Sequence, residues 1–266
     1  MSEESSKKKS DFKQILAGVS ELSKQQIIDV FIPSINDTIS FKPLTVKQQK
    51  LILSSGVDTE IENLSFSNAM NDIIIENCLS SANKIKTIDK PLILLQLRRK
   101  AVGNTLTITS GEDIYKIDID EHVKNITEQA TDATKTKFKL NVEGVEIQGE
   151  IPDLKTDTNY NKQFTKKIKS ANKNKLNLTD VVGDIYIHEM VKYVKSISIG
   201  DNILEVDDNV TIGQVISVFE SLPMKISNEI AENIKKLRKI EIASLSNDVL
   251  PEDVQISLDA SIFTND

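Results

Sequence analysis

The stretch KFKLNVEGVEIQGEI, residues 137–151, decides the fold class. Phe138, Leu140 and Val142 alternate up to Glu143–Gly144, and Val145, Ile147 and Ile151 alternate away from it. A period of two on both sides of a glycine-containing pair is the pattern of an antiparallel hairpin. Strict alternation also means that one face is buried and the other wet. Working outward, Leu106 and Ile108 and then 114–119 add strands upstream. A second hairpin is expected over 27–42, where Ile28, Val30 and Ile32, then Ile39 and Phe41, alternate around Ser34, Asn36 and Asp37.

Helical spacing rules elsewhere. Thr45 with Gln48 forms a capping box for a helix reaching about Ser55. A helix over 67–80 places Met70, Ile73, Ile74, Asn77 and Cys78 on one stripe. Asp89 suits the N-cap of the next, with Pro91 in its first turn, Leu92–Leu97 inward and Gly103 beyond its end. Arg98, Arg99 and Lys100 complement its carbonyl end. Ile187, Met190, Val191, Val194 and Ile197 predict a helix over 184–197. Thr211 and Gln214 cap another, and after Pro223 a longer helix carries Ile226, Ile230, Ile234 and Leu237 on one face. Residues 240–245 continue that helix or form a strand. Strands cluster in the middle and helices at both ends, which gives an α+β fold, mainly helical with one or two small antiparallel β-sheets.

The chain divides on this reading into a tail with an amphipathic helix (1–26), an N-terminal hairpin and helices (27–104), a β-rich middle with a basic loop (105–180) and a C-terminal helical segment (181–266). Residues 159–175 contain Lys162, Lys166, Lys167, Lys169, Lys173 and Lys175 without an intervening acid, and read as a linker or mobile loop.

Composition narrows the function. Charged residues make up 27 % and the net charge is −7. That acidic balance argues against nucleic acid as a general partner, because phosphate neutralisation needs a positive field. There is no Trp, and aromatics are 5 %, so base-stacking platforms are scarce. Cys78 is the only cysteine, so no intrachain disulfide forms. It reads as a buried structural thiol. The start MSEESSKKKS lacks the apolar core of a secretory signal, and no apolar run is long enough to span a bilayer.

No catalytic, cofactor-binding or metal-binding pattern is present. Neither glycine-rich phosphate loop nor H-E-x-x-H nor G-x-S-x-G occurs. His188–Glu189 is followed by Lys192 where a second zinc ligand would stand, so His188 reads as a surface-helix residue and His122 as a polar residue after a strand. One Cys and two distant His cannot build a zinc site. Asp201, Glu205, Asp207 and Asp208 lack the glycine and terminal glutamate of a calcium loop and read as a solvated turn. No small-molecule substrate is expected.

Two features suit polypeptide partners. Phe12, Ile15, Leu16, Val19 and Leu22 line one face of a short helix over 11–24, which either packs on its own domain or docks into a partner's groove. Lys162, Lys166, Lys167 and Lys169 form either a solvated loop or a docking strip for an acidic protein surface or nucleic acid.

Three stretches taken in order resemble one family. They are VFIPSINDTISFKPLTVKQQKLIL (30–53), HEMVKYVKSI (188–197) with VFESLPMKISNEIAENIKKLRKIE (218–241), and LDASIF (258–263). Together they resemble the T4-type bacteriophage baseplate hub subunit and baseplate assembly proteins. Residues 105–180 match least, and residues 1–26 look like an added extension. The resemblance implies a non-catalytic role in a contractile tail, as a hub component of the virion baseplate or as a chaperone-like assembly factor that leaves. It implies other hub proteins as partners, and the host cytoplasm as the place of assembly. The alternative class is a nucleic-acid-associated protein using the Lys162–Lys175 stretch.

Overall fold

The hairpin expected near the N-terminus forms as β1 (Ile28–Ile32) and β2 (Asp37–Phe41) in antiparallel register, Ile28 opposite Phe41 and Val30 opposite Ile39. The turn is a 3-10 turn at Pro33–Ile35, closed by Asn36 in the left-handed region at φ 50°. The inward positions Val30, Ile32, Ile39 and Phe41 are buried, as alternation requires. The computed structural model describes residues 11–55, 62–128, 133–173, 178–207, 210–243, 245–251, 254–258 and 260–263.

Around this hairpin pack α2 (Val46–Ser55), α3 (Glu62–Asn77) and α4 (Lys90–Ala101). The Thr45–Gln48 box is present: Gln48 N donates to Thr45 Oγ1 at 3.2 Å and Thr45 N to Gln48 Oε1 at 3.0 Å. Helix α3 starts earlier than expected and ends before Cys78. That residue bridges to Phe41 and is half-buried, with its thiol donating to the Ser80 carbonyl. Helix α4 is buried on nearly every side (Leu92, Ile93, Leu94, Leu95 and Leu97) and forms the axis of the first core. Arg98 does more than balance a helix end. It is buried, its Nε donates to the Ile262 carbonyl at 3.0 Å and its guanidinium also reaches the Gly103 carbonyl. These bonds hold the C-terminal 3-10 turn Ala260–Phe263 with Ile262 and Phe263 inside the same core.

Asp89 stands at the start of α4 without capping it. Its carboxylate accepts from Ser34 Oγ (2.6 Å), Ser34 N (3.3 Å) and Lys86 N (2.9 Å), tying the β1–β2 turn to the segment before α4. Burial pushes its pKa up in spite of those bonds.

The middle begins with β3 (Thr105–Ser110) and β4 (Asp113–Asp118), an antiparallel pair, followed by an unexpected helix α5 (Ile119–Glu128). His122 lies on α5 and is buried, its Nδ1 2.9 Å from Asn247 Nδ2. The decisive hairpin forms as β5 (Lys137–Val142) and β6 (Val145–Glu150), with Glu143 at φ 52° and Gly144 at φ 81° supplying the turn. The α+β class holds. Its β structure, among the described residues, is two two-stranded sheets and one four-stranded sheet, all antiparallel.

Two expectations fail. Residues 159–175 are no loop: α6 spans Leu154–Lys173. Its inner face carries Asp157, Tyr160, Asn161, Phe164, Ile168 and Ala171 at helical spacing, all buried. Two of those inward positions, Asp157 and Asn161, are polar, and the lysines between masked the period; residues 174–177, including Lys175, fall outside the described set. The helix expected over 184–197 is likewise divided. α7 (Leu178–Val191) ends at a turn, and Val194 and Ile197 belong to β7 (Val194–Ile199). That strand pairs with β6 and with β8 (Asn202–Glu205), giving the sheet order β5-β6-β7-β8. Valine and isoleucine suit either period, and pairing with β6 decides between them.

The second core lies between the inner face of this sheet and α8 (Ile212–Glu220) and α9 (Met224–Ala243). The expected face of α9, Ile226, Ile230, Ile234 and Leu237, is buried in it. The Thr211–Gln214 capping box opens α8. Helix α9 continues through the first part of 240–245.

The two cores meet along a charged seam. Asp157 accepts from Asn71 Nδ2 (2.9 Å), Asn161 Nδ2 (3.1 Å) and Lys192 Nζ (3.0 Å), with Lys90 Nζ 3.8 Å away. Lys192 also pairs with Glu189 at 3.0 Å, and Glu189 with Arg238 at 2.8 Å. Burial pushes the Asp157 pKa upward, but the Lys192 and Lys90 ammonium groups outweigh it and hold the carboxyl below its usual range. Lys192 mirrors this: burial lowers it, and Asp157 and Glu189 more than offset that, raising it.

Replacing Asp157 with Ala removes the carboxylate shared by two ammonium groups held largely out of water and leaves Lys192 with Glu189. We expect a loss of about 3–5 kcal/mol in chemical denaturation at neutral pH. Because the folded pKa is depressed, the wild-type advantage is complete above about pH 4 and declines as pH falls through the folded value. A difference that stays flat down to the acid limit would contradict this account. A second test concerns Gly149, at a register shift in the β6–β7 pairing. A Cβ there would fall on the Phe138 ring and 2.9 Å from the Tyr193 carbonyl oxygen. Gly149→Ala should lower the thermal midpoint, at a cost of about 1–3 kcal/mol.

Candidate functional site

The N-terminal helix α1 (Phe12–Lys24) forms as its periodicity predicts and buries none of its residues. Phe12 is 72 % exposed, and Ile15, Leu16, Val19 and Leu22 lie between 51 % and 58 %. The chain closes the helix with Gln25 N donating to the Glu21 carbonyl, and with a Lys24–Glu21 pair at 2.7 Å. Neither contact covers the apolar stripe. A short helix with an uncovered apolar face is marginal in water by itself.

Helix α6 supplies the second surface. Its inward side is fixed by the seam, so its outward side must face solvent. Lys162, Lys166, Lys167 and Lys169 are all exposed there. Lys162 pairs with Asp72 at 3.3 Å, both side chains about half exposed. Lys162 and Lys166 share one wall of a cleft of about 730 Å³; Lys167 and Lys169 do not line it. The cleft is also lined by Lys155, Lys195, Asp153 and Asp207, and by Val206, Val210 and Ile212 from beyond β8. Sequence reasoning missed Lys155, which precedes the acid-free run, and Lys195, which comes from β7. Tyr160 lies at the base of the cleft. Burial pushes its phenol up to about 12, and its hydroxyl makes no hydrogen bond among the described residues.

The candidates for chemistry are scattered. His188 is buried, not on the surface. Its ring lies edge-on to Tyr160 (6.4 Å between centroids) and tilted to Phe164 (5.7 Å), so it packs α7 against α6. His122 sits in the other core. Asp201, Glu205 and Asp207 are exposed around β8, and Asp208 falls outside the described residues. Among the described residues no three His, Cys, Asp or Glu side chains converge as a metal cage requires, and no helix is long and apolar enough to cross a membrane.

These features define a helix-rich α+β protein of two cores joined by a buried ionic seam, with an apolar helix and a basic face left outward. The chain belongs to the family described as T4 bacteriophage base plate protein, whose model matches residues 24–248. It is thus a structural bacteriophage baseplate protein. The match covers both cores' sheets and helices. It begins at the last residue of α1 and stops short of LDASIF. No curated protein and no solved structure matches the chain.

Since α1 buries nothing, deleting residues 1–26 should leave the body's unfolding free energy within about 0.5 kcal/mol of the full chain. A collapsed thermal transition would place α1 in the core instead.

Proposed function

We propose that this protein acts at the central hub of the baseplate, as a structural or chaperone-like assembly protein working through protein–protein contacts and without a catalytic step. Family membership supports the baseplate setting. The observation that carries the finer reading is α1: five large apolar side chains on a formed helix, none of them buried. Uncovered apolar faces of this kind mark interaction sites, and an amphipathic helix with anchors at i, i+3, i+4 and i+7 fits a hydrophobic groove. The exposed lysines of α6 add a second, electrostatic contact that would speed encounter and set orientation. Assembly takes place in the host cytoplasm on this reading, before or during incorporation into the tail.

A nucleic-acid role through the Lys162–Lys175 stretch is the second reading, favoured only by the clustering of its described lysines on one helix. The net charge of −7 weighs against it.

Co-expression with the hub proteins of the same phage, followed by affinity purification, tests the proposal. The full chain should bring down at least one hub protein, and the chain lacking 1–26 markedly less of it. If no hub protein co-purifies with the intact chain, the hub assignment fails.

A further inference from the structure

We propose that the cleft along α6 receives an extended, carboxylate-rich segment of a partner protein, an inference that rests on the assembly reading above. The supporting geometry starts with charge. Four lysines line the cleft, Lys155, Lys162, Lys166 and Lys195, against two aspartates, Asp153 and Asp207. These lysines gather around one cleft of a chain whose total charge is −7. Lys195 already neutralises Glu150 at 3.2 Å and reaches Asp153 at 3.8 Å, so the acids near the cleft floor are partly compensated. Lys162 shares its charge with Asp72 only across a half-exposed contact, which an incoming carboxylate can replace at little cost.

Spacing then selects the form of the occupant. Lys155, Lys162 and Lys166 stand at i, i+7 and i+11 on one face of a helix. Their separations along the axis are about 10 Å and about 6 Å. An extended strand advances about 7 Å for two residues and about 10 Å for three. Successive side chains of an extended segment face opposite ways, so carboxylates two residues apart share one face and match the Lys162–Lys166 interval, while a third, two or four residues earlier, comes within the reach of the long Lys155 side chain. The intermediate, apolar side chains have Val206, Val210 and Ile212 to meet, which are partly buried in the same lining. A volume of about 730 Å³ leaves room for several residues of such a segment.

Polypeptide fits this cleft better than nucleic acid. Asp153 and Asp207 would stand against phosphates, whereas a peptide can meet them with amides or a lysine. No aromatic ring is exposed in the lining for a base to stack on, because Tyr160, its only aromatic, is buried.

The test is fluorescence anisotropy on the full chain with three labelled probes. They are a peptide alternating glutamate and valine, the same peptide with glutamine in place of glutamate, and single-stranded oligothymidine. The glutamate peptide should bind, weaken as salt rises, and outbind both other probes. The double variant Lys162→Glu, Lys166→Glu should weaken it at least about 10-fold, while Lys47→Glu, Lys50→Glu on α2 should leave it unchanged. If the reversed charges impair folding by circular dichroism, Lys162→Gln, Lys166→Gln is measured in its place, with the same direction expected. Equal affinity of the double variant and the wild type, absence of salt-sensitive binding, or tighter binding of oligothymidine each overturns the proposal. Hub co-purification measured in parallel separates the two claims: if it persists while the peptide result fails, the cleft assignment alone is lost.

Discussion

The buried carboxylate of Asp157 ties the two cores of this protein together, beside the Lys86–Glu150 pair and the backbone bonds between 85–87 and 152–154. It accepts from Asn71 on α3 and from Lys192 beyond α7, lies 3.8 Å from Lys90 at the start of α4, and is itself carried by α6. Removing such groups from water is costly, and a buried pair often adds little net stability compared with apolar packing. What it adds is selectivity. Each of these groups must find its partner or remain buried and unmatched. Only one placement of α6 between the two cores satisfies them together. Glu189 and Arg238 extend the chain of charges to α9, so that the second core's longest helix is referenced to the same point.

The seam also explains why α6 can present a defined outer surface. With Asp157, Asn161, Phe164 and Ile168 turned inward, the lysines have one direction left, and the helix keeps them at fixed spacing. Lysines on a solvated loop would share the charge but not the geometry. Helix α1 is the opposite case. None of its residues is buried, and its apolar face is exposed. The family match follows the same division, since it takes in the body and begins where α1 ends. On the assembly reading proposed above, these two helices would be contact elements completed by neighbours.

Alternation around Glu143–Gly144 and around Asn36 was enough to read both hairpins, since period two and a turn that tolerates positive φ are local properties. The capping boxes at Thr45 and Thr211 and the face of α9 were legible for the same reason. The α6 helix was not. Its inward face carries Asp157 and Asn161 among apolar residues, and a polar residue looks buried only when its partner, 86 residues away in the case of Asn71, is known. His188 was misjudged alike: it is a polar side chain near a helix end that became interior because α6 packs there.

The amino-acid sequence by itself determined most of the local elements, the α+β class, the apolar stripe of α1 and the concentration of lysine after residue 161, while only the structure showed that stripe to be exposed. The tertiary structure alone decided that those lysines lie on a helix, that Val194 and Ile197 lie in a strand, and that Lys155 and Lys195 join Lys162 and Lys166 around one cleft. The physical reason is that periodicity reports how a segment meets an apolar surface, whereas strand pairing and charge pairing depend on residues distant in the chain, which no local window contains.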